Sequence, residues 1–316
     1  MSKYRINPIS TKDLKTYPLS SRKSKVSKKD FAETFDSGNN FKQFIDSLPD
    51  ILAGKDFKEF IKLIKEAKNK DKAILFAFGA HIIKVGLSPI IIDMLKKGWI
   101  SGIALNGAGI IHDFEIAHSG QTSEDVEQQI ENGQFGMANE TGAFLNEAAI
   151  QGFKENIGLG EAVGKMMDKY SFPNNDVSIL YNSYKMNVPV TVHVALGTDI
   201  IHFHPKARGD ALGKTSLRDF LLFCSMIKKL EGGGIFINVG SSVILPEVFL
   251  KALAVVRNKG YVLKNFTTAV IDFNLHYRPY QNIIKRPLYK NKNKGFYFLG
   301  HHEILIPLLA ASLKAD

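Results

Sequence analysis

Ile103-Ala104-Leu105-Asn106-Gly107-Ala108-Gly109-Ile110-Ile111-His112-Asp113-Phe114-Glu115 is the stretch on which the fold turns. A short apolar run stops at a small-residue turn, and the chain then delivers His, Asp and Glu. A parallel strand ends this way when it hands backbone amides and a few ionisable groups to a ligand. Residues 73–78, 188–195, 235–239 and 266–271 share the texture, being near-continuously apolar or β-branched. Such runs suit strands covered on both faces. Amphipathic or small-residue helices are expected between and around them, near 86–97, 122–131, 137–153, 158–169, 175–186, 215–230 and 244–258. Strand alternating with helix argues for an α/β fold, a mostly parallel sheet with helices on both faces.

Upstream, Phe41, Ile45 and Leu48, then Phe57, Phe60, Ile61 and Ile64, recur at three- and four-residue spacing and predict two helices with one apolar face each. The first 29 residues lack such periodicity and read as an extended arm. The expected organisation is a basic arm over 1–30 and a single domain over 31–316, with neither an internal repeat nor a second composition regime.

The formal net charge of +10 is local in origin. Residues 1–30 hold nine Lys or Arg against two Asp, residues 285–294 hold five against none, and the remainder is slightly acidic. No basic stripe interleaved with aromatics crosses the fold, so nucleic acid is not an expected partner. At 316 residues with 45% hydrophobic composition the chain can bury a large core. The single Cys224 lies in an apolar run and reads as a buried hydrophobe, which excludes a disulfide framework. No apolar run reaches the ~18–20 residues of a membrane span, and no secretory h-region opens the chain. A soluble, cytoplasmic protein is the expectation, with no membrane partner.

In a parallel sheet, ligands bind outside the carboxyl ends of the strands. The segments there are Gly79-Ala80-His81, then Asn106-Gly107-Ala108-Gly109 with His112 and Asp113, then Gly197-Thr198-Asp199 with His202 and His204. Gly240-Ser241-Ser242 follows the fourth run, and the fifth passes through Thr268 and Ala269 to Asp272. Small residues let amides approach a phosphate, and a helix starting there adds its positive end. Neither a G-x-G-x-x-G nor a P-loop pattern is present. Asp113 and Asp199 also suit helix caps. A rival grouping of His193, His202, His204, His301 and His302 would make a metal-dependent hydrolase or lyase, but no metal-ligand spacing supports it, and no metal residue is assigned.

Taken in order, Gly79-Ala80-His81, Gly107-Ala108-Gly109 with Asp113, Pro189-Val190 leading to Thr198-Asp199, Gly240, and Thr268-Ala269 running to Arg278-Pro279 resemble deoxyhypusine synthase over roughly residues 70–286. The resemblance implies a Rossmann-like NAD fold, a homotetramer with cofactor sites between subunits, and NAD-linked oxidation of spermidine. It also implies transfer of the aminobutyl group, through an imine on an active-site lysine, to a lysine of translation initiation factor 5A. The cofactor contacts it implies are Asn106, Gly107, Ala108, Gly109, Thr198, Asp199, Gly240, Ser241, Thr268 and Ala269; the strand-end residues His81 and Gly197, and Asp272 as a carboxylate for ribose hydroxyls, complete the candidate set.

The substrate side departs from the family. Ile111 and His112 precede Asp113 where two glutamates are expected, a further family carboxylate falls near His204, and Pro246-Glu247 replaces paired histidines. A polyamine needs opposing carboxylates, so the change implies a different substrate. The family's Trp-Gly-Lys is matched only by Lys285, without Trp or Gly. The expected function is an NAD-dependent transferase or oxidoreductase acting on a small molecule such as an amine, with a protein lysine as acceptor. Lys285, His112, His202, His204 and Asp113 are its candidate catalytic groups, the histidines because imidazole moves protons near neutral pH. A non-catalytic nucleotide-binding protein is the remaining alternative.

Overall fold

The computed structural model describes residues 3–288 and 294–315. Lys290 and Lys292 of the second basic segment lie outside the described residues. One all-parallel sheet carries six strands in the order β3-β2-β1-β4-β5-β6. They are β1 Ile74–Phe78, β2 Gly102–Asn106, β3 Val190–His193, β4 Ile235–Val239, β5 Thr267–Asp272 and β6 Lys294–Leu299. This is the Rossmann order, and its direction reverses between β1 and β4.

The helices are α1 Phe41–Ser47, α2 Leu52–Asn69, α3 His81–Lys84, α4 Ser88–Lys96, α5 Gly107–Ser119, α6 Val126–Glu131 and α7 Asn139–Glu155. Then come α8 Leu159–Tyr170, α9 Ile179–Lys185, α10 Gly209–Lys228, α11 Ile244–Asn258 and α12 Tyr277–Pro279, which runs into a π-helical turn over Tyr280–Lys285. Helix α13, His302–Lys314, closes the chain.

Every residue of β1, β3, β4 and β5 is buried, as strands packed on both faces require. On one face Phe60 of α2, Met94 of α4, Ile110 and Phe114 of α5, Val163 of α8 and Leu309 of α13 meet Phe76, Phe78, Ile103 and Leu105. On the other, Phe223 and Ile227 of α10 and Phe249 of α11 meet Ala77, Ala104, Phe236 and Val270. Ala77 and Ala104 are small there, so the two helices sit close, and Phe236 stacks on Phe249 with centroids 4.0 Å apart. Cys224 lies buried in this layer.

Three elements differ from expectation. Asn106-Gly107-Ala108-Gly109 is not a loop: Asn106 is the N-cap of α5, its side chain accepting from the Gly109 N–H at 3.0 Å, and the glycines form the first turn. Strand β6 pairs with β5 from Thr267↔Lys294 to Asp272↔Leu299, a sixth strand beyond the five apolar runs. Helix α13 was likewise hidden, with Pro307 inside it. Residues 3–29 are exposed throughout. Among the described residues no helix is long and apolar enough to cross a membrane.

Candidate functional site

Register decides which side chains meet at the carboxyl edge. Asn106 pairs with His193, Ala104 with Ala77, Ala77 with Asn238, and Asn238 with Val270. Side chains two apart share a face, so His193, Asn106, Asn238 and Asp272 all project toward the α10/α11 side near their strand ends. Between them β1 and β4 end in Gly79 and Gly240, at the point where the strand order reverses. A cavity of about 320 Å³ opens beside His193, Val194, Leu196, Ser216 and Ile244, between the end of β3 and the starts of α10 and α11.

Several buried polar atoms here have no hydrogen-bond partner: Asn238 Oδ1, Asp272 Oδ2, His302 Nδ1, Asp199 Oδ2 and His202 Nε2. Asn238 donates its amide to the Ser241 carbonyl at 3.0 Å, and Asp272 Oδ1 accepts from the Asn274 N–H at 3.2 Å. Buried polar atoms without partners are uncommon, because each costs about 1–3 kcal/mol. Five of the ten such atoms among the described residues lie at this sheet edge.

Asp199 lies against the start of α5, where a Cβ on Gly107 would come within 2.0 Å of its Oδ2. Burial pushes this carboxyl up to about 6. His202 Nδ1 accepts from the N–H groups of Gly197 at 3.1 Å and Asp199 at 3.3 Å. The ring proton is therefore on Nε2, which faces Asp199 Oδ2 at 3.8 Å. Burial also lowers the His202 pKa, so a neutral imidazole backs the carboxylate. A carboxylate seated on Gly107 excludes a phosphate from that helix start by charge, yet it suits a ribose hydroxyl.

Across the edge, His302 opens α13 and its Nε2 donates to the Ile271 carbonyl at 3.2 Å, the same oxygen that accepts from the Gly240 N–H at 3.0 Å. Gly240 has φ +66°, and a Cβ there would strike the His302 ring at 2.6 Å. The half-exposed Phe273 ring lies 5.6 Å from both His81 and His302 and stacks toward His301 at 6.5 Å. Together with Ser241, whose hydroxyl accepts from the Leu245 N–H at the start of α11, these groups surround the switch point.

On the outer face of α5, His112 Nδ1 is 2.6 Å from the Thr122 hydroxyl, and burial, with Lys84 adding to it, brings its pKa down to about 4. His112 follows the partly exposed Ala108 by one helical turn, which puts it on the face below the site's rim.

Other residues expected at the site lie elsewhere. Asp113 is fully enclosed, accepting from the Ser178 hydroxyl and from the Ile179 and Leu180 N–H groups at 2.8 and 3.1 Å. It caps α9 from within the core and touches no open surface. Thr268 and Ala269 are wholly buried in the amino-terminal half of β5, and the Thr268 hydroxyl donates to the Ile283 carbonyl. Lys285, two residues further on, is exposed, with its ammonium 5.2 Å from the Tyr280 ring. It belongs to the opposite edge, since the adjoining Pro287 carbonyl accepts from Arg257 at the far end of α11. His204 packs on Gly142 of α7, and its Nδ1 accepts from the Lys206 N–H. Gly197 and Thr198, by contrast, stay at the carboxyl edge beside Asp199 and are exposed, the Thr198 hydroxyl donating to Ala195. Among the described residues no three His, Cys, Asp or Glu side chains converge as a metal site would require.

No family model matches the chain, and no curated protein matches it in sequence. In structure it is similar to a provisionally assigned deoxyhypusine synthase from Entamoeba histolytica, at 13% identity and TM-score 0.50, covering 89% of this chain and 95% of that one. It is similar also to a provisionally assigned LOR/SDH protein from Methanococcus maripaludis S2, at 15% identity and TM-score 0.50, covering 88% and 71%. Unliganded AgrE superposes at 10% identity and TM-score 0.52, covering 89% of this chain. The fold is the one these proteins share. The chain spans about a third of the length of AgrE and of the cyanobacterial arginine dihydrolase ArgZ.

Phe273, His302 and Asn238 were not singled out as cofactor contacts from sequence. For Asn238 a signal existed: a polar residue inside the otherwise apolar Ile235–Val239. Phe273 and His302 carry none, because their roles arise from strands and helices closing on one another.

Proposed function

We propose that the carboxyl edge binds NAD and that the protein is an NAD-dependent enzyme on a deoxyhypusine-synthase-like scaffold, acting on an amine other than spermidine. The observation that carries this reading is the cluster of unpartnered buried acceptors, Asp199 Oδ2, Asn238 Oδ1 and Asp272 Oδ2, around the switch point. Two carboxylates there suit ribose hydroxyls, while the start of α11, just beyond Gly240 and Ser241, offers its positive end to a pyrophosphate. His81 and Phe273 offer ring faces to a base or nicotinamide.

NAD, when bound, supplies the acceptor for a hydride leaving the carbon beside an amine. Of the three candidate histidines, His112 is the one whose ring nitrogens are not engaged by backbone groups among the described residues, and it takes the proton lost as the amine becomes an imine. An acceptor amine, such as a protein lysine, would then add to that carbon and displace the first nitrogen as a free amine, and return of the hydride would leave the new carbon–nitrogen bond saturated. Lys285 has no part in this scheme, given its place at the far edge. A cytoplasmic homo-oligomer, a tetramer by the family resemblance, completes the reading.

Calorimetric titration of the full chain with NAD+ and NADH tests the cofactor. Binding should weaken about tenfold in Asp272→Asn and in Asp199→Asn, the loss of roughly one charge-assisted hydrogen bond each. No binding of either form at millimolar concentration sinks the proposal. The position of Lys285 favours one second reading, nucleotide binding without turnover; NAD binding with no NADH formed from a panel of amines would select it.

A further inference from the structure

His112 is held by a chain of side chains that the cofactor reading leaves unused. Its Nδ1 lies 2.6 Å from Thr122 Oγ1, and the Thr122 hydroxyl donates to Glu115 Oε2. The other Glu115 oxygen accepts from the Thr141 hydroxyl on α7 at 3.0 Å. His112 and Glu115 are each 18% accessible in their side chains, so the chain is largely shielded from water. A hydroxyl carries one proton and an ionised carboxylate carries none. With the Thr122 proton committed to Glu115, the short contact to His112 requires the ring nitrogen to be the donor.

We propose that Thr122 and Glu115 are positioning residues that hold His112 as the Nδ1–H imidazole, leaving the Nε2 lone pair as a standing acceptor for an N–H or O–H of the ligand. Nε2 makes no hydrogen bond among the described residues and is not among the buried orphaned atoms, so it is open to an incoming group. The charged groups facing the ring are Glu115 from its own helix, 3.9 Å away, and Lys84 from α3. Burial, with Lys84 adding to it, keeps the imidazole neutral at pH 7, so it does not repel a protonated amine. As a proton arrives at Nε2, Glu115 offsets the new charge through the Thr122 hydroxyl, the role a carboxylate plays behind histidine in hydrolytic triads. The proposal goes beyond NAD binding and does not rest on it.

The test is two-bond 1H–15N correlation NMR on full-length, histidine-labelled protein without cofactor, His112 being identified by the peaks lost in His112→Asn. The expected pattern is the Nδ1–H tautomer at pH 7, with no protonation above about pH 5. Thr122→Val should move the ring toward the Nε2–H form, and Thr122→Ser should restore it. Should the valine variant fail to fold, Glu115→Gln replaces it, with the same tautomer shift expected. A wild-type ring in the Nε2–H form, or variants that leave the tautomer unchanged, would overturn the proposal whatever NAD does.

Discussion

Asp219 of α10 has no exposed surface, and its Oδ2 accepts from the N–H groups of Gly160 at 3.0 Å and Val192 at 2.8 Å. Burial outweighs these donors and pushes the carboxyl up to about 7. Asp113 and Asp199 are each pushed to about 6 by the same cause. A carboxyl whose folded pKa lies above its ordinary value binds its proton more tightly in the native state. Its contribution to stability is therefore complete below about pH 4 and is lost as pH rises through 6 to 7. Buried histidines oppose it: His193 is brought down to about 3 and His112 to about 4 by burial, so their contributions are lost as pH falls below about 6.5. The two sets act in the same window with opposite sign and flatten the dependence of stability on pH. Asp219→Asn uncouples them, since an amide keeps the acceptor oxygen and never ionises. Relative to wild type, the variant should lose more melting temperature at pH 5 than at pH 8; a gap that stays constant across melts at pH 5, 6.5 and 8 would show that Asp219 does not titrate in this range. The sequence marks Asp113 and Asp199 as candidate caps and site residues and does not single out Asp219. Which of them is sealed in the core depends on α9 and α8 closing over them, which no local pattern records.

At the scale of elements, β3 is an edge strand whose outer groups are met by side chains of α10: Asp219 takes the Val192 N–H, and Ser216 bonds both the Val192 carbonyl and the Val194 N–H. That closure takes up outer backbone groups of β3 that could otherwise pair with another chain. It also brings α8 so near that a Cβ on Gly160 would sit 2.1 Å from the Val190 carbonyl oxygen. Because the obstacle is backbone, Gly160→Ala should cost about 2–3 kcal/mol, read as a lower urea midpoint with an unchanged m value; an unaffected midpoint would mean that α8 can shift freely. Five strands were legible because strands covered on both faces are continuously apolar. Strand β6 was not, since only Phe296 and Phe298 turn inward and the segment follows a basic run. Helix α5 was masked by its glycines. Gly107 leaves the space that Asp199 fills and so reports a tertiary approach, whereas Gly109 is crowded only locally, by Leu105 and Asn106.

For the whole molecule, the parallel order fixes where chemistry collects, and this much of the site was legible: the strand-end segments at His81, Asn106, Asp199, Gly240 and Asp272 do gather at one edge. Lys285 failed for a topological reason, as the crossover through α12 and the π-helical turn must carry the chain back to the amino edge before β6 can run parallel to β5. The same architecture leaves one face unfinished. Leu217 and Leu221, one turn apart on α10, are 60% and 55% exposed, with Leu222 beside them and Leu196 and Val243 near the site's cavity. Contiguous leucines in water mark an interaction surface. If the protein is the homo-oligomer proposed above, this face is where copies meet, and the rim of the candidate site lies at the joint. A Leu217→Glu/Leu221→Glu double variant places two carboxylates on each copy at that joint, where their desolvation and mutual repulsion oppose association. The fold should be untouched, because exposed substitutions change stability by only about 0.5 kcal/mol each. Light scattering at micromolar concentration should then give an oligomer for wild type and a monomer for the variant, with melting temperatures that differ only through the lost assembly. Equal masses for the two proteins would remove this face as the interface.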